Sequence, residues 1–256
     1  MHHLAAFAGS IVNGASLLNL PALVDSLLTL QNTNNYTYAG NLKILRTYAR
    51  IDNGTEVRID TPNLRLIGPP QIFPFETTTL PTNLPPINKY DGSYLPWLAL
   101  DPIGILVSRA GAGALVEQAL LWVSDTVQDE YDGPSRAVRA TSTITATTSG
   151  WTPGAMTFQQ ALPTGRYRVT GMAAFGTNLF AARLVFPGQT FRPGILAQDA
   201  AGEFDTEFFR RGNFGVFGEF DSIAPPTLEV LAVGANTAQT VFLDLVPMGP
   251  VKGLAV

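Results

Sequence analysis

The sequence contains no cysteine, and its only two histidines, His2 and His3, directly follow the first methionine. A chain without thiols forms no disulfide, thiolate zinc site or iron–sulfur cluster, and it has no cysteine nucleophile. We expect both histidines to be frayed. That would exclude a Ser-His-Asp triad, a His-ligated zinc site and a cupin centre, since each needs a buried histidine. The sequence therefore predicts no catalytic, cofactor-binding or metal-binding residues.

Charge is also scarce in this chain. Charged residues form 14% of its 256 residues and hydrophobic residues 46%, while Gly and Pro number 24 and 19. This composition differs from that of disordered chains and coiled coils, and it is typical of many short strands joined by turns. The net charge of −4 gives no global field that would attract nucleic acid, so no specific nucleic-acid partner is predicted. One hypothesis for so little charge is that neighbouring subunits cover much of the surface.

Residues 4–30 form a long stretch with a single charged residue, Asp25. Polar residues and Pro21 interrupt it too often for a membrane-spanning helix, and no Lys or Arg precedes it as in a secretory signal. A helix is predicted to begin near Pro21 with Asn19 as its cap, because apolar residues then share one stripe: Leu20, Leu23, Val24, Leu27 and Leu28. This helix either packs on its own protein or contacts a membrane surface or a neighbouring subunit.

Strand-like patterns follow the polar residues 31–35, and turn signals separate them. Asn53-Gly54 predicts a hairpin, whereas residues 69–94 form a Pro-rich connection and residues 125–136 a polar hinge. The predicted strands are 42–51, 56–60, 64–67, 95–100, 103–108, 114–123, 137–147, 166–174, 180–186, 214–220, 227–233 and 238–246. Strands do not alternate with helices, so the chain is predicted to be all-β.

The two β halves match each other at a nearly constant offset. Residues 57–62 match residues 182–187 at an offset of 125, which places Arg58 on Arg183. Two further matches are Gly111-Ala112 with Gly234-Ala235 at an offset of 123, and Gln118 with Gln239 at 121. Unless these few identities arose by chance, their common order predicts two copies of one β fold of about 120 residues.

About eight strands per half, with long connections, suit the jelly roll, a sandwich of two four-stranded sheets. The prediction is an all-β chain of two tandem eight-stranded jelly rolls with a short N-terminal helical arm. The arm covers residues 1–34, and the rolls cover residues 35–128 and 129–256. This organisation resembles the double jelly-roll major capsid proteins of tailless icosahedral viruses, including bacteriophages that contain a membrane.

The resemblance implies a structural protein of the virion that is not an enzyme and has no cofactor. Three copies would form a homotrimer with a pseudo-hexameric outline, and trimers would tile an icosahedral shell together with other capsid proteins. The arm at residues 4–30 would lie under the shell towards the internal viral membrane or neighbouring capsomers. The connection at residues 69–94 would form a tower or a strap between subunits. The low charge fits surfaces that are buried between subunits.

The residues alone also allow functions of other classes. A carbohydrate-binding β-sandwich, such as a phage spike or receptor-binding module, would need exposed aromatic residues. Its candidates are Trp97, Trp122 and Trp151, although Trp122 lies in an apolar strand typical of a core. A glycosidase would need two carboxylates that face each other across a groove. The acidic residues near one another in the sequence are Glu203, Asp205, Glu207, Glu219 and Asp221.

Three further clusters each have a structural and a functional interpretation. The acidic residues Asp129, Glu130 and Asp132 form a solvated hinge or bind a structural cation such as calcium. The basic residues Arg166, Arg168 and Arg210-Arg211 form salt bridges or subunit contacts, or they bind phosphate. For the Phe-rich run at residues 212–220 we favour a bent strand with buried aromatic rings over a base- or sugar-stacking platform.

Overall fold

The computed structural model describes residues 2–67, 70–77, 88–89, 94–126, 134–198 and 215–248, with only the backbone at residues 13–15, 67, 88–89 and 111–115. Strands cover 58% of the protein and helix is almost absent, so the prediction of an all-β chain is confirmed. In the described residues, no helix is both long and apolar enough to cross a membrane.

The chain divides into two compact units. The N-terminal unit consists of His3–Val127 and Thr148–Gly150, and the C-terminal unit of Met1–His2, Gln128–Thr147 and Trp151–Val256. Each unit has its own antiparallel sheets. The predicted division into an arm and two jelly rolls stays a prediction.

The strands before residue 125 are β1 (His2–Leu20), β2 (Thr29–Leu30), β3 (Tyr36–Thr37), β4 (Leu42–Arg50), β5 (Gly54–Asp60), β6 (Gln71–Ile72), β7 (Asn88–Lys89), β8 (Leu95–Trp97) and β9 (Gly104–Ser124). A short helix, α1 (Pro62–Ile67), follows β5. The later strands are β10 (Arg136–Ser142), β11 (Thr152–Gly154), β12 (Thr157–Phe158), β13 (Arg166–Phe175), β14 (Leu179–Val185), β15 (Gly194–Leu196), β16 (Gly218–Asp221), β17 (Thr227–Ala232) and β18 (Gln239–Pro247).

The N-terminal segment is extended, so the prediction of a helical arm is wrong. The segment forms β1, which pairs with β9, and residues 21–35 contain no helix. The carboxylate of Asp25 accepts hydrogen bonds from the backbone N–H groups of Leu27 (2.8 Å) and Leu28 (3.1 Å). Such side-chain bonds compete with helical backbone bonds, so the apolar spacing in this stretch does not produce a helix.

Both histidines are buried, so the expectation that they are frayed is also wrong. His2 and His3 are 0% exposed in β1, and His3 Nε2 lies 2.9 Å from Asp25 Oδ1. Pairing with β9 holds this end of the chain inside a sheet. Fraying therefore gives no ground for excluding histidine chemistry, since a buried imidazole is paired with a carboxylate in the N-terminal unit.

Two sheets build the described part of the C-terminal unit. One has the strand order β12-β10-β18-β13-β16 and the other β11-β17-β14-β15. Without the two-residue β12, the unit has eight strands. The first, β10, pairs with the last, β18, and the second, β11, pairs with the seventh, β17. Val241, Leu243 and Leu245 are buried at every second position of β18, so this face of the strand is directed into the core.

The main sheet of the N-terminal unit has the order β6-β5-β9-β4-β7, with β1 also paired to β9 and β8 to β4. The first half of β9 pairs with β5 and its second half with β4. Two strands were predicted here, 103–108 and 114–123. The backbone instead continues as one strand of 21 residues.

The predicted strand at residues 64–67 is wrong, because α1 occupies this stretch. Pro62 takes the first helical position, where its missing N–H has no helical partner to lose. The N–H of Arg65 donates to the carbonyl oxygen of Thr61 at 3.2 Å and closes the first turn. Leu64 is buried and Leu66 is 87% exposed on the short helix.

The predicted repeat is present in the backbone of the two long hairpins, β4–β5 and β13–β14. Asn53 and Asn178, 125 residues apart, both have a positive φ, of 50° and 61°. Equivalent bonds close the two turns: the N–H of Gly54 donates to Ile51 O (3.0 Å), and that of Leu179 donates to Gly176 O (2.9 Å). The two turns therefore have the same construction, and the sequence offset of 125 is confirmed for them.

Irregularities of the sheets repeat at the same offset. The pairing of β4 with β9 shifts register between Ile44 and Arg46, and that of β13 with β18 shifts between Val169 and Gly171. A second shift separates Gly54 from Glu56 in β5, and its counterpart separates Leu179 from Ala181 in β14. Because a bulge depends on local backbone detail, four bulges at matching positions show that the units share one strand framework.

The neighbours of the hairpins correspond as well. In the N-terminal unit Arg58 pairs with Leu106, and in the C-terminal unit Arg183 pairs with Glu229. The start of the first hairpin strand pairs with β8 in one unit and with β16 in the other. By this register, β8 corresponds to β16, the first half of β9 to β17, and its second half to β18.

Candidate functional site

Arg166 and Arg168 form a salt-bridge cluster with Glu219. Arg168 donates from Nε and Nη2 to Glu219 Oε1 at 2.9 and 2.7 Å, and Arg166 Nη2 donates to Oε2 at 2.9 Å. The register of β13 and β16 places Arg168 directly opposite Glu219. The salt-bridge interpretation is confirmed for Arg166 and Arg168. Glu219, considered above for a glycosidase, is bound by two guanidinium groups.

The described part of the Phe-rich run leads into β16 and has buried rings. Phe217 is 0% and Phe220 5% exposed, and the ring of Phe220 stacks on Tyr167 with centroids 5.7 Å apart. A Cβ on Gly218 would lie 2.7 Å from the ring of Phe186, so glycine allows the close approach. The interpretation as a strand with core aromatics is confirmed for these residues, whose rings are too buried to form a stacking platform.

The three tryptophans do not form an exposed aromatic face. Trp97 is 1% and Trp122 0% exposed, and Trp97 Nε1 donates to the carbonyl oxygen of Asp101 at 2.8 Å. Trp151 is half-buried under the guanidinium of Arg183, which lies 4.1 Å from its ring centroid. The prediction that Trp122 is a core residue is confirmed, and the carbohydrate-binding alternative lacks the aromatic surface it needs from these residues.

Several predicted clusters lie outside the described residues. They are Asp129, Glu130 and Asp132, the acidic residues Glu203, Asp205 and Glu207, and Arg210-Arg211. Over the described ranges, no group of three or more His, Asp or Glu side chains is arranged to hold a metal ion.

A buried ion pair lies near the β4–β5 turn of the N-terminal unit. The side chains of Arg109 and Glu117 are both 0% exposed, with Arg109 Nε 3.2 Å from Glu117 Oε1. Arg109 also donates to the carbonyl oxygens of Asp52 (3.1 Å) and Ile11 (3.2 Å). Glu117 Oε2 accepts a hydrogen bond of 2.8 Å from the N–H of Asp52. The pair therefore ties the turn to β1 and to both halves of β9.

The stability contributed by Glu117 is expected to depend on pH. Burial raises the pKa of this carboxyl, while the Asp52 N–H and the Arg109 guanidinium partly oppose the rise. A carboxyl with a higher pKa in the folded protein takes up protons on folding. Its contribution is fully present below its unfolded pKa of about 4.5 and is lost as the pH rises through the folded value.

We therefore expect the unfolding free energy of the wild type, relative to Glu117→Gln, to fall as the pH rises above about 4.5. Urea unfolding of both proteins across a pH series measures this difference. Glu76→Gln serves as a control in a half-buried position of the same unit. A difference between wild type and Glu117→Gln that stays constant with pH would contradict the expectation.

A second charged cluster occupies the hairpin sheet of the C-terminal unit. Arg183, whose side chain is 2% exposed, donates from Nε to Glu229 Oε2 at 2.6 Å. The register of β14 and β17 places these residues opposite each other, and Trp151 covers the guanidinium. Arg183 is thus held by a carboxylate on one side and an indole ring on another.

The N-terminal unit has a cleft near the equivalent arginine, Arg58. The cleft has a volume of about 340 Å³ and is lined by Arg58, Ile59, Leu64, Arg65, Gln71 and Leu106, among others. Arg58 binds Glu56, its neighbour on the same strand, and Arg65 binds Asp60. The cleft therefore combines an apolar floor with two paired arginines at its rim. We call it the Arg58 cleft.

Large apolar side chains are exposed mostly on the N-terminal unit. Among the described residues these are Val12, Val24, Leu30, Leu66, Ile72, Tyr94, Leu98 and Leu100, whereas the C-terminal unit exposes Ile223 (82%). Ile223 lies in the turn after β16, where its N–H donates to Asp221 Oδ1 at 3.1 Å. The tip of this turn therefore presents an aliphatic side chain beside a carboxylate.

Comparison with known proteins gives one structural likeness. No family model and no curated protein matches the sequence. Among solved structures, the chain is similar to the crystal structure of the major capsid protein P2 from bacteriophage PM2. The identity is 10%, the match covers 99% of this chain and 100% of that chain, and the TM-score is 0.26. A TM-score of this size lies below that of a shared fold, so the function is argued from the chain's own geometry.

The sequence analysis missed the buried pair of Arg109 and Glu117 and the burial of Arg183. The sequence does contain a sign of the buried pair, because Arg109 and Glu117 flank a glycine-rich stretch in otherwise apolar surroundings. For Arg183 the repeat supplied the position but not the environment, because Glu229 and Trp151 approach it from distant parts of the sequence.

Proposed function

We propose that the protein is a viral major capsid protein that self-assembles as pseudo-hexameric trimers to build an icosahedral shell. Each unit is interpreted as a jelly roll, the fold class that recurs in viral capsid proteins. The observation that carries the proposal is the strand framework that occurs twice in one chain.

The strand order of the C-terminal unit supports the jelly-roll interpretation. A jelly roll pairs its first strand with its eighth and its second with its seventh, and the two resulting pairs belong to different sheets. The orders β10-β18-β13-β16 and β11-β17-β14-β15 follow this rule for the eight strands other than β12. In the N-terminal unit, we interpret β9 as the equivalent of β17 and β18 joined end to end, and β1 as that of β10 and β11.

The duplication supports the assembly part of the proposal. A trimer of a chain with two equivalent units contains six similar units around one axis, which gives a sixfold outline with threefold symmetry. A charged fraction of 14% fits a protein whose surface is buried between copies, since interface cores are depleted in charged residues. In this function the protein has no catalytic role, and it is located in the virion.

The oligomeric state of the purified protein tests the proposal. We expect light scattering after size exclusion to give three times the chain mass of 27.4 kDa, and electron micrographs to show particles with a hexagonal outline. Addition of the other capsid proteins is expected to convert trimers into closed shells. A stable monomer at high protein concentration, or a monomer that binds glycans, would overturn the proposal.

A further inference from the structure

The surroundings of one equivalent position, occupied by Arg58 in one unit and by Arg183 in the other, differ between the two units. In the C-terminal unit the space beside Arg183 is filled from within the chain, by Trp151 and Glu229. In the N-terminal unit Leu106 stands where Glu229 stands, and the Arg58 cleft of about 340 Å³ adjoins Arg58. The second copy of the fold therefore shows how this position is completed, and the first copy leaves room for a group from another molecule.

The lining of the cleft indicates the kind of group that fits. Leu64, Leu106 and the ring of Pro70 supply apolar surface, so a buried aliphatic side chain would remove apolar area from water. Arg58 and Arg65 each carry a guanidinium with five N–H donors, which can bind a further carboxylate next to the one already paired. The complementary group is an aliphatic side chain with an acidic neighbour.

The C-terminal unit carries such a group on its surface. Ile223 is 82% exposed, and the carboxylate of Asp221 lies beside it because it accepts the N–H of Ile223. Among the described residues of this unit, Ile223 alone is a large, exposed hydrophobic residue. The aliphatic side chain matches the apolar lining, and the carboxylate can accept from the arginine N–H groups that do not bind Glu56 and Asp60.

We propose that the Ile223 tip of one copy inserts into the Arg58 cleft of a second copy, with Asp221 directed at the arginines of the rim. This inference rests on the proposed function, and it names the surface through which copies meet. The tip and the cleft are different surfaces on different units, so the contact is head-to-tail, and three such contacts can close a ring.

Cysteine pairs test the contact directly, because the chain contains no cysteine of its own. The test variant combines Ile223→Cys with Gln71→Cys, which lies in the lining of the cleft. The control combines Ile223→Cys with Thr55→Cys, an exposed position in β5 outside the lining. Each single variant is oxidised in parallel to reveal tip-to-tip and cleft-to-cleft bonds.

We expect oxidation of the test variant to give covalent dimers and trimers on a non-reducing gel, with at least tenfold more product than the control. Trimers that form without this crosslink would overturn the contact while the proposed function stands. Equal crosslinking in the test and control variants, or efficient crosslinking of Ile223→Cys alone, would overturn it too. A wild-type protein that stays monomeric would overturn the proposed function itself.

A substitution at the tip gives a second readout that does not depend on cysteines. Ile223→Ser alters an exposed side chain, so the melting temperature of the dissociated protein is expected to stay unchanged. The concentration at which half of the chains are associated is expected to rise at least tenfold, since a central aliphatic anchor is lost. Val24→Ser, which removes a 79% exposed side chain from the N-terminal unit, is the matched control and is expected to leave association unchanged. Equal association of Ile223→Ser and wild type would contradict the contact.

Discussion

Replacing Arg109 with alanine is expected to lower the free energy of unfolding by about 3–5 kcal/mol, because the change leaves the carboxylate of Glu117 buried without its guanidinium. The variant also loses the hydrogen bonds from Arg109 to the carbonyl oxygens of Asp52 and Ile11. For a chain of this size, each kcal/mol lowers the melting temperature by about 2–4 °C. Denaturant unfolding at neutral pH measures the loss.

The C-terminal unit shows how the same framework forms without this ion pair. By the pairing registers, Ala232 and Gln239 stand where the N-terminal unit has Arg109 and Glu117. The double variant Arg109→Ala and Glu117→Gln therefore copies the other unit and leaves no stranded charge. We expect it to be more stable than Arg109→Ala alone, since replacing both partners avoids an unpaired buried ion. A double variant less stable than the single one would contradict this account.

Replacing Arg183 with alanine is expected to lower the free energy of unfolding by about 3 kcal/mol. The side chain of Arg183 is 2% exposed and that of Glu229 17%, so water screens the stranded carboxylate poorly. Trp151 also loses the guanidinium that packs over its ring at 4.1 Å. Calorimetry of the variant gives the loss.

The equivalent arginine of the N-terminal unit is the matched control for this experiment. The side chains of Arg58 and Glu56 are 30% and 27% exposed, and an ion pair so open to water contributes little to stability. We expect Arg58→Ala to have a much smaller effect on the melting temperature than Arg183→Ala. Equal effects of the two substitutions would show that burial does not determine how much each arginine contributes to stability.

Most central strands could be predicted from the sequence, but β1 and α1 could not. Alternation of apolar and polar residues located β5, β17 and β18 to within two residues, because one face of each strand is buried. The pattern failed at β1, where residues 2–8 are buried on both faces and give no alternation. It also failed at α1, where a helix of six residues is too short to show its period.

The candidate surfaces could be predicted only in part from the sequence. Salt bridges or subunit contacts were favoured for Arg166 and Arg168, because the chain carries a net negative charge. The Arg58 cleft could not be predicted, since it combines a strand, a helix and the edge strand β6 through tertiary packing. The tip at Ile223 could not be predicted either, because an isolated isoleucine after a strand is equally compatible with a core position.

The drift of the repeat offset shows where this chain accommodates changes of length. The hairpins at residues 42–60 and 167–185 align without a gap, from one bulge through the turn to the next. The offset then falls to 122 at Glu76 and Gln198, returns to 123 at β8 and β16, and is 122 along the second half of β9 and β18. Insertions and deletions thus separate the two copies only between the paired segments, one of which changes within the continuous β9 of the N-terminal unit. A foreign peptide added between β17 and β18 would use a site where the fold already tolerates two lengths, whereas one added at Asn53 or Asn178 would break a turn that both copies keep.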